Sequence, residues 1–284
     1  MGSRGMSVLL CTLAAGRASA ADDAAKAANP DLGFRVRPAL LDTSDGTGST
    51  IGLEFEAHEV PFSGKGHDLF SPTGRIGDTI VGKPELKFDA TGTVTADAKR
   101  NPKDLLDGDL TGSYVLTTNS YGAFKLGGFG KYETDQSFDN KQFVYGLRST
   151  YVKIGLLTQF GDWVALRAAR GQVDPKGDKD RETALGTSDV PKYYRNEFEF
   201  AYHVDVRWNI SSELKIVSVE LDYLYFLESS APAQVEAAGL DRHHLATVRL
   251  NFANNLYIGY GKGRLPFDKQ NDSIYEIGLH YKLQ

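Results

Sequence analysis

Five side chains close together in sequence could carry nucleophilic chemistry. Ser229, Ser230, Asp241, His243 and His244 offer a hydroxyl, a base and an orienting acid, if the fold brings them within hydrogen-bond reach. The same residues suit a solvated loop. Asp174, Asp178, Asp180 and Glu182 are oxygen donors of the kind that hold Ca²⁺, but Lys176, Lys179 and Arg181 interleave them and oppose a cation. Gly127-Gly128-Phe129-Gly130 lacks the Gly-Lys-Ser/Thr continuation and following helix of a phosphate loop, so these glycines read as a bend or close packing in a strand. Metal-binding Cys/His spacing is absent, and no cofactor is expected.

The larger body of chemistry is ionic, and its spacing is two. From Arg195 to Ile210, Phe198, Phe200, Tyr202, Val204, Val206, Trp208 and Ile210 fall in one row. Arg195, Glu197, Glu199, His203, Asp205, Arg207 and Asn209 fall in the other. Alternation of this kind belongs to a β-strand with one apolar and one ionised face. At ~3.3 Å per residue and a tilt of roughly 40°, a strand from Tyr194 to Ile210 rises about 40 Å, more than the ~25 Å apolar band of a membrane barrel. No run of eighteen apolar residues exists for a helical span.

Both ends of the sequence fit that reading. Met1 to Ala20 has a basic start at Arg4, an uncharged core from Met6 to Ala15 and the small residues Ala18-Ser19-Ala20, the pattern of a cleaved secretory signal. The single Cys11 lies inside it, so neither lipidation nor a disulfide is expected in the mature chain. Taking Arg4 and Arg17 from the 32 basic residues leaves 30 against 37 acids, a charge of −7 that argues against nucleic acid. At the other end Glu276-Ile277-Gly278-Leu279-His280-Tyr281-Lys282-Leu283 resembles the C-terminal β-signal of Gram-negative outer-membrane proteins, although Gln284 follows where an aromatic often stands. That resemblance implies insertion into an outer membrane, lipid contact and engagement of the barrel-assembly machinery through this strand.

The expected fold is all-β: a transmembrane, antiparallel, up-and-down barrel of about 12 strands, within a range of 10–14. The strands read as 50–59, 78–89, 92–98, 111–118, 121–134, 141–158, 161–174, 193–210, 213–229, 240–253, 255–264 and 272–283. Tight turns at Asn119-Ser120, Gln159-Phe160-Gly161, Ser211-Ser212 and Asn254-Asn255 alternate with longer loops near 135–140, 175–192, 230–239 and 265–271. Short periplasmic turns and longer external loops are the habit of outer-membrane barrels, which places both termini in the periplasm. Residues 1–20 are then the signal, 21–49 a periplasmic, plug or extra-strand segment, and 50–284 the barrel. Gly33 to Leu41 is left out of the count. In 141–158 the apolar row moves from Phe143, Tyr145 and Leu147 to Val152, Ile154 and Leu156, so a bulge is expected near Ser149-Thr150.

If the apolar rows meet lipid, the ionised ones face inward, because Lys or Arg on the lipid side at midplane costs ~2–4 kcal/mol. The inward set is Glu54, Glu56, His58, Arg148, Lys153, Arg167, Arg195, Glu197, Glu199, His203, Asp205, Arg207, Glu220, Asp222, Arg249, Glu276, His280 and Lys282. A soluble lipocalin-like barrel has the opposite polarity. Trp163 and Trp208, each near an expected periplasmic turn, are assigned to the membrane interface.

Such a monomeric barrel could pass small hydrophilic solutes through a charged lumen, or its Arg/Glu ladders could close that lumen. A closed structural or adhesive barrel working through its loops is the second reading. A third is a surface enzyme acting on lipid or peptide with the 229–244 rim cluster. Outer-membrane phospholipases and lipid A deacylases place Ser two residues after His, and no His here is so followed.

Overall fold

The computed structural model describes residues 33–44, 48–70, 80–118, 122–155, 162–211, 215–268 and 272–283. The signal segment with Cys11, the turn at Asn119-Ser120 and that at Gln159-Phe160-Gly161 fall outside them. Twelve antiparallel strands form the wall: β1 (Gly33–Thr43), β2 (Thr50–Ser63), β4 (Ile80–Thr95), β5 (Leu106–Thr118), β6 (Gly122–Thr134), β7 (Lys141–Ile154), β8 (Trp163–Gly177), β9 (Tyr193–Asn209), β10 (Lys215–Ser229), β11 (Arg242–Phe252), β12 (Leu256–Arg264) and β13 (Asp272–Leu279). A short β3 (His67–Phe70) pairs with β4 beyond the wall, and β14 (Tyr281–Leu283) continues β13.

Each strand pairs with its neighbour in sequence, and β1 also pairs with β13, which closes the sheet. Closure removes both edges, so every wall strand has two partners. The segment 33–41, left out on sequence grounds, is a full stave. Phe34 and Leu40 point outward while Arg35 and Arg37 point inward beside Glu56 and Glu54. Pro38 has no N–H to give, and it falls opposite the break between β13 and β14 at His280.

The two strands expected at 78–89 and 92–98 are one, Ile80–Thr95. Asp89, Thr91, Thr93 and Thr95 share one face through Ala-Thr-Gly-Thr, and the register with β2 runs unbroken across it. The count of twelve stands because this merger offsets the added β1. The bulge expected at Ser149-Thr150 is absent: β7 keeps register with both neighbours there, and Val152 is buried on the inward face. The register does shift on β9 between Asp205 and Trp208.

The burial pattern is inverted relative to a soluble domain. Ile51 is 69% exposed and Leu147 68%, while Arg37 is 2% and Glu133 fully buried. The strand ends Thr118 and Gly122, Ile154 and Trp163, Asn209 and Lys215, and Phe252 and Leu256 lie at the end that carries the termini, as do Ser63 and Ile80, which the longer connection 64–79 joins. The other end, the loop end, carries 96–105, 135–140, 178–192, 230–241 and 265–268.

Candidate functional site: the charged lumen

Inward side chains pair across strands, because residues opposite each other in register sit on one face. On the side built by β1, β2, β10, β11 and β13, Arg37 reaches Glu56 at 2.5 Å, Glu54 at 3.3 Å and Glu220 at 3.7 Å. Arg249 holds Glu54 at 2.6 Å and Glu276 at 3.4 Å. Gly259 leaves the space this needs: a Cβ there would sit 3.0 Å from the Glu276 Oε2. Lys103 descends from the 96–105 loop and binds both Glu54, at 3.4 Å, and Glu276.

The facing side, β5 to β9, has its own network. Arg195 joins Glu133 at 2.7 Å and Glu197 at 2.5 Å, and Lys131 joins the same two carboxylates at 2.6 and 3.0 Å. Arg148 bonds Asp109 at 2.5 Å and lies 4.2 Å over the Phe129 ring. Buried charges of this kind persist only when paired, since an unpaired one is strongly destabilising.

Between the two sides lies a cavity of about 360 Å³. Nine carboxylates and seven Lys or Arg side chains line it. Arg167 and Glu199, 2.6 Å apart, remain 32% and 28% exposed to it, so they are more hydrated than the networks that flank them. Asp222 faces the same space, with only Thr247 Oγ1 at 3.5 Å.

Toward the loop end the bore is filled. Phe226, Leu245, Leu265 and Ile274 pack together with Leu105 and Leu224. Three loops are sewn over them. Gln136 donates its backbone N–H to Asp104 at 2.7 Å, Asp104 donates its own to Asp268 at 2.7 Å, and Leu265 donates to the other Asp268 oxygen at 2.6 Å. Burial pushes the Asp268 carboxyl up to about 8, against the pull of those two N–H groups. The helix Lys179–Leu185 adds Arg181, buried 4.0 Å over Tyr193 and bonded to Glu228 at 2.7 Å.

Glu54, Glu56, Arg148, Arg167, Arg195, Glu197, Glu199, Glu220, Asp222 and Arg249 thus sit on the inner face. His58 bonds Asp89 at 2.6 Å, and His203 bonds Asp205 at 3.0 Å and lies 3.7 Å from Glu220. His280 lines a smaller cavity at the terminal end. The Arg207 and Lys282 side chains lie outside the described part. Lys153 pairs with Val164 in the outward row, so it does not line the lumen. Trp163 is not at a lipid interface: it faces inward, stacked on His203 with centroids 5.8 Å apart and planes 6° apart. The shift on β9 puts exposed Trp208 opposite buried Ile216, which takes it off the outward row.

The rim cluster does not assemble. Ser229 Oγ accepts from Asn196 at 3.0 Å, His243 donates Nε2–H to Leu240 O at 3.1 Å, and Asp241 pairs with Arg242 at 2.9 Å. His243 and His244 point to opposite faces of β11. Of the acidic loop, Asp178 caps the Lys179–Leu185 helix and Asp174 holds Lys176 and Lys192, each at 3.0 Å.

Sequence reading missed Arg35, Arg37 and Lys103, and also Asp109, Lys131 and Glu133 on strands it had recognised. The first two lay in the discounted β1, where alternation with Phe34, Val36 and Leu40 was the available signal. Nothing local marks Lys103, a loop lysine that enters the bore through tertiary contact.

No protein-family model matches the chain, and no curated protein resembles it in sequence. Among solved structures it is similar to the NanC porin, at 10% identity over 88% of this chain and all of that one, with a TM-score of 0.46. It is also similar to OccD3 of Pseudomonas aeruginosa, at 12% identity over 88% of this chain and 69% of that one, with a TM-score of 0.31. The β domain of the Bordetella autotransporter BrkA matches at 11% identity over 89% of this chain and all of that one, with a TM-score of 0.29. Such likenesses are distant in sequence and loose in superposition.

Proposed function

We propose that the chain is an outer-membrane β-barrel that admits small hydrophilic solutes to a charged lumen, with both termini in the periplasm. Support for the membrane comes from the outward rows, where Phe198, Leu147, Ile51 and Ile277 are all exposed on a closed sheet whose ionised residues turn inward. Support for the orientation comes from β5 to β12, whose connections at the terminal end are shorter than most of those at the loop end, the 64–79 connection between β2 and β4 being the exception. The pore reading is carried by the chamber of about 360 Å³ that remains between the two ion-pair networks. Outer-membrane lipid surrounds the monomer, and β13 with β14 is the segment that the assembly machinery engages.

With the loop end filled, conduction requires the 96–105 and 265–268 loops to move. Reconstitution into planar bilayers tests this: discrete conductance steps are expected, with long closed intervals. A folded barrel that never conducts would overturn the pore and leave a closed structural or adhesive barrel, the reading that the Leu105, Leu265 and Phe226 layer favours.

A further inference from the structure

We infer that the terminal end of the lumen holds a binding site for a small polyhydroxylated solute of one ring, seated on Trp163 and held by Asn251 and His280. A cavity of about 310 Å³ opens there, separate from the chamber above it. Its size is close to the lower bound for ligand pockets, roughly 300 Å³. The Asn251 side chain donates to Ser218 Oγ at 3.0 Å, and both residues are 6% exposed. Asn251 Oδ1 and His280 Nε2, both buried, have no hydrogen-bond partner among the described residues. A buried acceptor without a donor is unfavourable, so a hydroxyl brought by a ligand relieves it.

The same cavity is lined by the Trp163–His203 stack, whose indole is a flat apolar surface. Trp163 lines this cavity and the chamber alike, so a solute moving between them passes the indole. A pyranose matches both walls: its C–H face is apolar and its rim carries hydroxyl donors. An ammonium ion is disfavoured by Arg35, which lines the cavity, and by Arg37 beside Glu220. A free anion is disfavoured by Glu220 itself. Binding energy of this kind comes from filling a formed pocket rather than from ion pairing.

The proposal rests on the pore reading, yet it is tested in detergent, where no current is needed. The sequence has two Trp, so a Trp208→Phe background leaves Trp163 as the sole indole. Titration with methyl α-glucopyranoside should change its emission saturably. Asn251→Ala in that background should weaken the affinity about tenfold, the loss of one hydrogen bond. His280→Ala, at a residue only half-buried where Asn251 is buried, should weaken it less. No saturable change with folded protein, an unaltered affinity in both variants, or tighter binding of ethanolamine than of the glucoside would each overturn the site. Saturable binding without bilayer conductance would overturn the pore alone.

Discussion

At the loop end six apolar side chains and three hydrogen-bonded loops fill the bore, whereas toward the termini the same twelve strands leave a charged chamber and a second cavity. The contrast lies in what supplies the filling. In the wall networks both partners stand on strands, as with Arg249 and Glu54 or Arg195 and Glu133, so breaking a pair attacks the barrel itself. Over the loop end Leu224, Phe226, Leu245 and Ile274 also stand on strands, but Lys103, Leu105, Leu265 and Asp268, which cover them, are carried on connections that can leave without unzipping a strand. The fold therefore separates stability from closure, and variants in the two regions should fail differently.

The largest effect is expected in the wall. Arg249→Ala removes the closest partner of Glu54 and leaves Glu54 and Glu276 to Arg37 and Lys103, so it should lower unfolding stability by about 3 kcal/mol, read as a reduced thermal midpoint in detergent. In the lid, Lys103→Met leaves those carboxylates on Arg249, so it should raise the open fraction in bilayers severalfold while moving the midpoint little. A Lys103 variant as unstable as the Arg249 variant would erase the distinction between wall and lid.

A smaller effect is a pH dependence confined to the lid. Asp268, whose carboxyl ordinarily titrates at 3.8, is pushed up to about 8, with Asp104 raising it further and Lys103 opposing. The folded state thus binds this proton more tightly than the unfolded one. Stability from the protonated form is complete below 3.8 and is lost as pH climbs to about 8. Hydrogen exchange at the Leu265 and Asp104 amides, corrected for intrinsic rates, should quicken across that window and become flat in Asp268→Asn.

The smallest effect concerns ion preference. Nine carboxylates against seven cationic groups give the chamber a weak preference for cations. Glu199→Gln should reduce it more than Glu197→Gln, because Glu199 is 28% exposed and Glu197, at 12%, is held by Arg195 and Lys131. Equal shifts in reversal potential would place both on the path.

The strands were legible wherever a charged or polar residue alternated with a large apolar one, as along β9, β10 and β13. That signal weakens where the inward residues are small, so Ala90-Thr91 read as a break between two strands although Thr91 and Thr93 simply continue the inward row. It was misread where an apolar residue faces inward. Val152, buried against the lumen wall, suggested a bulge that the register does not contain, and Trp163 suggested lipid although it stacks on His203. Parity placed many of the inner charges, such as Glu197 and Glu220, but it misplaced Lys153 and did not tell which charges would pair. Arg249 and Glu54 are 195 residues apart in sequence and meet only because β1 closes the sheet against β13. The lid was beyond local pattern for the same reason, since Asp104 and Asp268 belong to loops 164 residues apart.

The central claim, that apolar side chains of this closed sheet face lipid while its charges face water inside, is tested most directly at the neighbours Phe198 and Glu199 of β9. In a Cys11→Ser background each is changed to Cys, spin-labelled and reconstituted in bilayers. The label at 198 should be relaxed by lipid-soluble oxygen and that at 199 by a water-soluble nickel chelate. The reverse pattern, or identical relaxation at the two positions, would contradict the account.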